Sequence, residues 1–176
     1  RKDKNLVLDF YNARRRQLKS VTPNEAHLAI KELEKKFNVV VITQNVDDLH
    51  ERAGSTNIIH LHGELLKAKS EKYDDYVIDW KEDLVLGDLC PKGSQLRPHV
   101  VWFGEAVPML DRALSEISNA DIVIIIGTSM QVYPAASLVG FAPKDSKIYY
   151  IDPKPSINYE LSLRDIQVIE NTAASA

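Results

Sequence analysis

The residues predict an α/β fold: a parallel β-sheet with helices on both faces, interrupted by a small inserted module. Two apolar runs carry the sheet. Residues 39–42 and Ile122–Ile126 are β-branched throughout, and unalternated runs of that kind suit strands buried on both faces of a parallel sheet. Helical periods lie between the apolar runs, and that alternation calls for crossover connections. The third observation is a gap in the rhythm. Residues 67–98 are polar, hold Gly87, Pro91, Gly93 and Pro98, and keep little periodicity, as expected of a module outside the sheet.

The elements follow in order. Leu6, Val7, Phe10, Ala13 and Leu18 recur at helical spacing with no breaker among residues 5–18, which predicts a first helix. Thr22-Pro23-Asn24-Glu25 marks the next start, with Thr22 as N-cap, Pro23 at the first helical position and Glu25 at the third. That helix is expected to run through Ala26, Ile30 and Leu33 to Phe37. Residues 39–42 then form a strand, and residues 58–61, 100–103, 122–126, 148–151 and 166–169 read as further strands. Residues 108–119 are helical, with Leu110, Leu114 and Ile117 on one side, and residues 134–141 make a short helix.

Composition narrows the function. A length of 176 residues allows one large domain or two small ones, and buries roughly 70% of the unfolded surface without a staple. Hydrophobic residues at 44% and charged residues at 27% are ordinary for a globular chain. Lys plus Arg is 22 against 25 for Asp plus Glu, a net charge of −3, so a dedicated nucleic-acid binder with a basic face is not expected. The longest apolar run, Ile122–Ile126, falls far short of the ~20 residues that span a bilayer. Cys90 is the one cysteine, so neither an internal disulfide nor a four-cysteine zinc site can form. A cytoplasmic location with no membrane partner is the expectation.

In open α/β sheets, ligands bind beyond the carboxyl ends of the strands. Those ends carry Thr43-Gln44-Asn45-Val46-Asp47-Asp48-Leu49-His50, His62-Gly63-Glu64, Gly104-Glu105, Gly127-Thr128-Ser129 and Asp152. Gly127 lets a phosphate approach the backbone, and the Thr128 and Ser129 hydroxyls can donate to it. An ordinary polar strand-to-helix turn has the same composition. Asp152 stands where an acid holds a ribose diol, or where it simply caps a turn before Pro153. Gln44, Asn45 and Asp47 suit a ligand with carboxamide and hydroxyl groups, or an Asx cap on a following helix. His62, beside a glycine at a strand end, is placed for proton transfer or is a satisfied loop residue. Tyr11 and Arg14 share a helix face. Together they could grip a carboxylate, or Arg14-Arg15-Arg16 is a solvated charged run.

Together these stretches resemble the sirtuins, the NAD-dependent protein deacylases. The resemblance is carried by Thr43-Gln44-Asn45-Val46-Asp47-Asp48-Leu49-His50-Glu51-Arg52-Ala53-Gly54 and His60-Leu61-His62-Gly63-Glu64. It continues through Leu96-Arg97-Pro98-His99-Val100-Val101-Trp102-Phe103-Gly104-Glu105, Ile126-Gly127-Thr128-Ser129 and Val132-Tyr133-Pro134-Ala135. It covers nearly the whole chain.

The resemblance implies a Rossmann-like NAD-binding domain in two parts, residues 1–66 and 99–176, with a small module at 67–98 in the position of the family's zinc module. It implies that His62 is the catalytic base. Gln44, Asn45 and Asp47 would lie around the nicotinamide and its ribose, Gly127, Thr128 and Ser129 at the phosphate and adenosine side, and Asp152 at the adenosine ribose. Val101, Phe103, Gly104 and Glu105 on one edge, and Val132 and Tyr133 on the other, would hold an acyl-lysine peptide as an added strand. The Phe10-Tyr11-x-x-Arg14 helix resembles the branch that accepts succinyl and malonyl groups, with Tyr11 and Arg14 as the acyl-binding pair.

Two departures from the family pattern shape the expectations. The family opens with a strand and a Gly-Ala-Gly-x-Ser loop that holds the NAD diphosphate. The chain starts after them, so a fragment that binds NAD poorly on its own is expected. Most members carry four cysteines as two C-x-x-C pairs. In this chain Cys90 stands alone, so no structural zinc is expected and the module should be held by packing. The implied activity is NAD-dependent deacylation of protein lysines, with the acyl group passed to ADP-ribose and nicotinamide released. An NAD- or ADP-ribose-binding module, and a protein ADP-ribosyltransferase, are the alternatives.

Overall fold

A computed structural model describes residues 3–176. Residues 1 and 2, which open the first expected domain range, lie outside the described residues. Helix α1, Lys4–Leu18, starts where the Asp3 carboxylate accepts from the Leu6 amide at 3.0 Å. Leu8, Asn12, Arg15 and Leu18 form its buried stripe, at the three- and four-residue spacing of one helix face. Helix α2, Glu25–Leu33, departs from the expected start and end. Its N-cap is Asn24, not Thr22: Asn24 Oδ1 accepts from the His27 amide at 3.2 Å, and the His27 ring turns back onto Asn24. Asn is the better cap of the two. It displaces Pro23 from the helix, which ends four residues before Phe37.

The chain continues as β1 (Val41–Thr43), α3 (Leu49–Ala53) and β2 (Ile58–His60), and β1 pairs with β2 in parallel. Three strands then form an antiparallel sheet in the order β4-β3-β5: β3 (Gly63–Ser70), β4 (Val77–Asp79) and β5 (Leu96–Val100). Helix α4 (Leu110–Ile117) leads to β6 (Ile122–Ile126), a 3-10 helix (Ala135–Phe141), β7 (Lys147–Ile151), α5 (Tyr159–Ser162) and β8 (Ile166–Ile169). Strands β6, β7 and β8 form a second parallel sheet in that order. The fold is mixed α/β with parallel sheets and helices, as expected.

The structure differs from the sequence reading in three further places. First, the longest strand, β3, lies where no strand was expected. Gly63-Glu64-Leu65-Leu66-Lys67-Ala68-Lys69-Ser70 has no β-branched residue, and pairing on both sides overrides that weak propensity. Second, the strand expected at 100–103 lies at Leu96–Val100. Pro98 reads as a breaker, but among the described residues β5 pairs only with β3, and an edge strand tolerates a missing N–H. The expected boundaries at 66/67 and 98/99 therefore each fall inside a strand. Third, β6 is an edge strand among the described residues, and Ile122 and Ile124 are 41% and 42% exposed rather than buried.

Three apolar clusters hold these pieces. Ile59, Leu61, Ala113, Ile117 and Leu138 form one, and Ile42 of β1 and Val123 of β6 both pack against it. Among the described residues the two parallel sheets thus share a core but no hydrogen-bond ladder. A second cluster, with Ile125, Ile148, Tyr150 and Leu161, lies between the β6–β8 sheet and α5. The third closes the antiparallel module: Ala68, Leu84, Cys90 and Leu96 gather around Leu8 of α1. Polar groups pin α1 to the module as well. Asn12 exchanges bonds with the Leu84 backbone at 3.0 and 2.9 Å, and Arg15 donates to the Leu65 carbonyl at 3.1 Å.

Candidate active site

His62 sits on the turn between β2 and β3, and three bonds fix it. The Leu61 amide donates to the Thr43 carbonyl at 2.9 Å, and the Val101 amide donates to the His62 carbonyl at 2.9 Å. The ring Nδ1 lies 3.1 Å from the Gln44 carbonyl. A carbonyl only accepts, so Nδ1 carries the proton and Nε2 keeps the lone pair. Gly63 makes the turn possible. Its φ is +84°, and a Cβ there would lie 2.0 Å from the His99 carbonyl oxygen, so no other residue fits. The ring is half-buried at the junction of the β1 tip and the antiparallel module.

The β1 tip carries the amide and acid groups. The Asn45 amide N–H donates to Thr43 Oγ1 at 3.0 Å, and Asp47 Oδ1 accepts from the Leu49 amide at 3.1 Å. Asp47 Oδ1 thus closes an Asx turn just ahead of α3, whose N-cap is Asp48, and that bond engages one of its two carboxylate oxygens. The Leu65 amide donates to the Val46 carbonyl at 2.7 Å and ties this loop to β3. Gln44 Nε2 reaches Thr128 Oγ1 at 3.4 Å, which brings the tip of β1 to the tip of β6.

At the β6 tip, Gly127 has φ +59°, and a Cβ there would meet nothing within 4 Å. The backbone is open to a ligand on that side. Thr128 is held by Tyr150, whose hydroxyl donates to the Thr128 carbonyl at 2.7 Å, and Ser129 is exposed. Asp152 follows β7, and its Oδ1 accepts from the Lys154 amide at 2.7 Å. These groups suit a ligand with phosphate, hydroxyl and carboxamide functions. An NAD molecule therefore fits the donor set at the two strand tips.

Tyr11 and Arg14 line a cavity of about 330 Å³ whose other walls include Val46, Asp47, Leu49 and Leu65. The α1 face that holds the pair therefore meets the β1 loop. Tyr11 stacks on Trp102 with ring centroids 6.4 Å apart, and Trp102 Nε1 donates to the Tyr11 oxygen at 2.8 Å. Burial pushes the Tyr11 phenol up, with Glu105 adding to the effect, while the Trp102 bond and Arg97 oppose it. A neutral phenol keeps its own O–H to donate. Arg14 lies over the Phe10 ring at 5.3 Å and donates to Gln17 Oε1 at 3.1 Å. A cavity of about 440 Å³ opens at the other ends of β6 and β7, beside Asp121 and Lys147, away from the strand tips.

The expected peptide edges are partly engaged within the chain. Glu105 makes two bonds with Arg97, both 2.8 Å, and accepts from the Trp102 amide at 3.0 Å. Phe103 is 95% exposed on a turn with Gly104. Val132 and Tyr133 are exposed ahead of the 3-10 helix, and the Tyr133 hydroxyl donates to Glu160 Oε2 at 3.1 Å.

The residues around Cys90 do not fit a structural zinc. Two turns face each other in the module. Ser70 Oγ accepts from the Lys72 and Tyr73 amides at 3.2 and 3.3 Å. Cys90 is buried, and burial pushes its thiol up, but the Ser70 hydroxyl and the Ser94, Lys92 and Cys90 amides outweigh that and hold it below the usual range. A C-x-x-C spacing from Cys90 lands on Gly93, at φ +75° with no side chain. The same spacing from Ser70 lands on Tyr73, whose ring faces Lys92 Nζ at 4.4 Å. One thiol and one hydroxyl are not a tetrahedral N/S donor set.

Sequence reasoning missed two parts of this neighbourhood. Trp102, the partner of Tyr11, and the His60–Glu51 pair beneath the β1 tip both lie inside motifs singled out for other residues. Their roles depend on contacts across 91 and 9 positions, which no local spacing reveals.

Known proteins are similar to this chain in sequence and in fold. The Sir2 family model matches residues 1–134. A Helicobacter pylori NAD-dependent protein deacylase is 58% identical over 176 residues, covering 100% of this chain and 76% of the relative. A Bacteroides thetaiotaomicron NAD-dependent protein deacylase is 50% identical over 179 residues, covering 98% and 76%. Among solved structures, a Sir2 homologue in complex with NAD superposes with a TM-score of 0.88 at 39% identity, covering 99% of this chain and 69% of that one. A Sir2 protein with a p53 peptide and NAD⁺ gives a TM-score of 0.75 at 28% identity, covering 90% and 69%.

Proposed function

The chain belongs to the Sir2 family and is an NAD-dependent protein deacylase, and on that premise we propose that His62 is its general base and that the β1 and β6 tips hold the nicotinamide and phosphate ends of NAD. The observation that carries the reading is the His62–Gln44 bond. It places the ring proton on Nδ1 and leaves Nε2 free to take a proton. Bound NAD supplies a glycosidic bond to a pyridinium leaving group, which makes ADP-ribose the acceptor of the acyl group.

The chain's residues do the positioning. Asn45 and Asp47 project from a loop tied to β2 and β3 and orient the nicotinamide ribose, with Gln44 beside it. Gly127, Thr128 and Ser129 receive phosphate, where the open backbone at Gly127 leaves room. Asp152 has one carboxylate oxygen committed to the Lys154 amide and offers the other to the adenosine ribose. His62 takes a proton from a ribose hydroxyl through Nε2. An acyl-lysine peptide lies between the Val101–Glu105 segment and Val132–Tyr133. Because Glu105 is engaged by Arg97, backbone groups carry most of that contact.

The acyl preference includes acidic groups. Tyr11 and Arg14 line one cavity with the β1 loop, and a phenol donor beside a guanidinium suits a terminal carboxylate. The residues before β3 and after β5 form the Rossmann-like nucleotide-binding part, and the antiparallel sheet between them is the small module. Partners are acyl-lysine proteins, and the setting is cytoplasmic, which suits a buried, unpaired Cys90. Among the described residues no helix is long and apolar enough to cross a membrane.

The test is to supply the complete protein with NAD and an acyl-lysine peptide. Nicotinamide release matched by loss of acyl mass from the peptide is the expected result. Mass added to a protein target, with the acyl group retained, would replace deacylation by ADP-ribosyl transfer.

A further inference from the structure

His60 ends β2 and has no place in the chemistry above, yet its side chain is only 9% exposed. Its two ring nitrogens touch two different elements. Nδ1 lies 3.3 Å from the Asn45 carbonyl, which only accepts, so Nδ1 carries the proton of that bond. Nε2 lies 2.6 Å from Glu51 Oε1 on α3, so the ring bridges the β1 tip and α3. In the neighbouring bond, His62 Nδ1 donates to the Gln44 carbonyl. Consecutive carbonyls at the β1 tip are therefore held by two histidines that stand two positions apart. With its N–H on Thr43 Oγ1 and its carbonyl on His60, the Asn45 backbone is satisfied on both sides, and its side chain projects from a clamped residue.

Glu64 comes close to this pair. The acceptor and ring atoms of Glu51, His60 and Glu64 all lie within 4.8 Å of one another. Lys67 pairs with Glu64 at 2.9 Å, and His60 with Glu51. Each carboxylate of the cluster already has a partner within the chain.

We infer that His60 and Glu51 are a positioning couple for the cofactor site: Glu51 orients the His60 ring, and the ring holds the Asn45 carbonyl so that the Asn45 amide keeps its direction toward the nicotinamide ribose. The inference rests on the proposed role of Asn45. Neither residue touches the reacting atoms. Their effect runs through one peptide group, and a displacement of that group misplaces the side chain it carries.

The experiment uses the complete protein and reads nicotinamide release, with the KM for NAD and for the acyl-lysine peptide measured separately. His60→Leu is expected to lower kcat by about 10- to 100-fold while the peptide KM stays within about two-fold. His60→Asn places an amide N–H where Nδ1 stood and is expected to recover most of the loss. Glu51→Ala keeps the ring but frees it, and is expected to fall between the two. The double variant His60→Leu with Asn45→Ala should lose no more than Asn45→Ala alone, because the two act through one path. A near-native kcat in His60→Leu, an equal loss in His60→Asn, or a peptide KM that moves with kcat would overturn the inference. Should His60→Leu fail to fold, an unchanged kcat in Glu51→Ala overturns it instead. Full turnover in Asn45→Ala would instead sink the reading of Asn45 itself, whatever the His60 variants do.

Discussion

The His62 ring is held by the strand beside it, with Nδ1 donating to the Gln44 carbonyl at 3.1 Å. That bond selects one tautomer and aims the other nitrogen away from the backbone. The Gln44 side chain in turn reaches Thr128, which links the tips of β1 and β6.

His62→Ala should lower nicotinamide-coupled deacylation by about 10²- to 10⁴-fold, the usual worth of a positioned general base. Peptide binding should survive, because the Val101 bond to residue 62 is made by the backbone. Isothermal titration of an acyl-lysine peptide and a turnover assay on the same preparation check both halves. Near-native deacylation would remove His62 from the mechanism.

Tyr11→Phe combined with Arg14→Met should depress desuccinylation by about 10- to 100-fold, the loss of one or two charge-assisted bonds. Deacetylation should change little, since an acetyl group has no carboxylate to bind. The ratio of the two rates is the measurement. Equal losses on both acyl groups would make the pair part of the α1 packing.

Gly63→Ala should destabilise the fold by more than about 3 kcal/mol, because a positive φ and a 2.0 Å approach to the His99 carbonyl add together. Urea unfolding followed by tryptophan fluorescence measures it. A loss below about 1 kcal/mol would mean that the turn adapts and does not fix His62.

Acidification should weaken the fold through His50 and His99. Burial is the largest cause that pushes both rings below their ordinary value of 6.5, with His27 adding to it at His50 and Lys69, Lys67 and Arg97 adding to it at His99. The nearby carboxylates Asp47, Glu51 and Glu64 act the other way and do not prevail. Each ring also leaves Nδ1 buried without a hydrogen-bond partner. The unfolded chain binds protons at these sites first, so stability is present above about 6.5 and is lost as pH falls below it. Thermal midpoints between about pH 7.5 and pH 5.5 test this, with His50→Gln plus His99→Gln flattening the fall. An equally steep fall in the double variant would assign the acid sensitivity to other groups.

A chelator should leave the unfolding midpoint unchanged, and elemental analysis should find no stoichiometric zinc. The module is closed by Leu84, Cys90 and Leu96 around Leu8 and by the Ser70–Cys90 contact, and a structural zinc would otherwise carry folding energy. Stoichiometric metal, or unfolding by the chelator, would show a donor set other than the one around Cys90.

The amino-acid order alone was enough for the alternation of strand and helix, the α1 face with Tyr11 and Arg14, and the motifs that end in His62, Asp47 and Ser129. Those features are local: periodicity, β-branching and a short string of polar residues after each apolar run. Only the tertiary structure decided that Gly63–Ser70 is a strand, because its pairing energy comes from residues 77–79 and 96–100. Only the fold turned Pro98 from a breaker into an edge residue. It also chose the His62 tautomer and set His60 between Asn45 and Glu51. Each of these depends on which carbonyl or carboxylate meets a ring nitrogen across a turn, and hydrogen-bond geometry of that kind exists only once the backbone has closed.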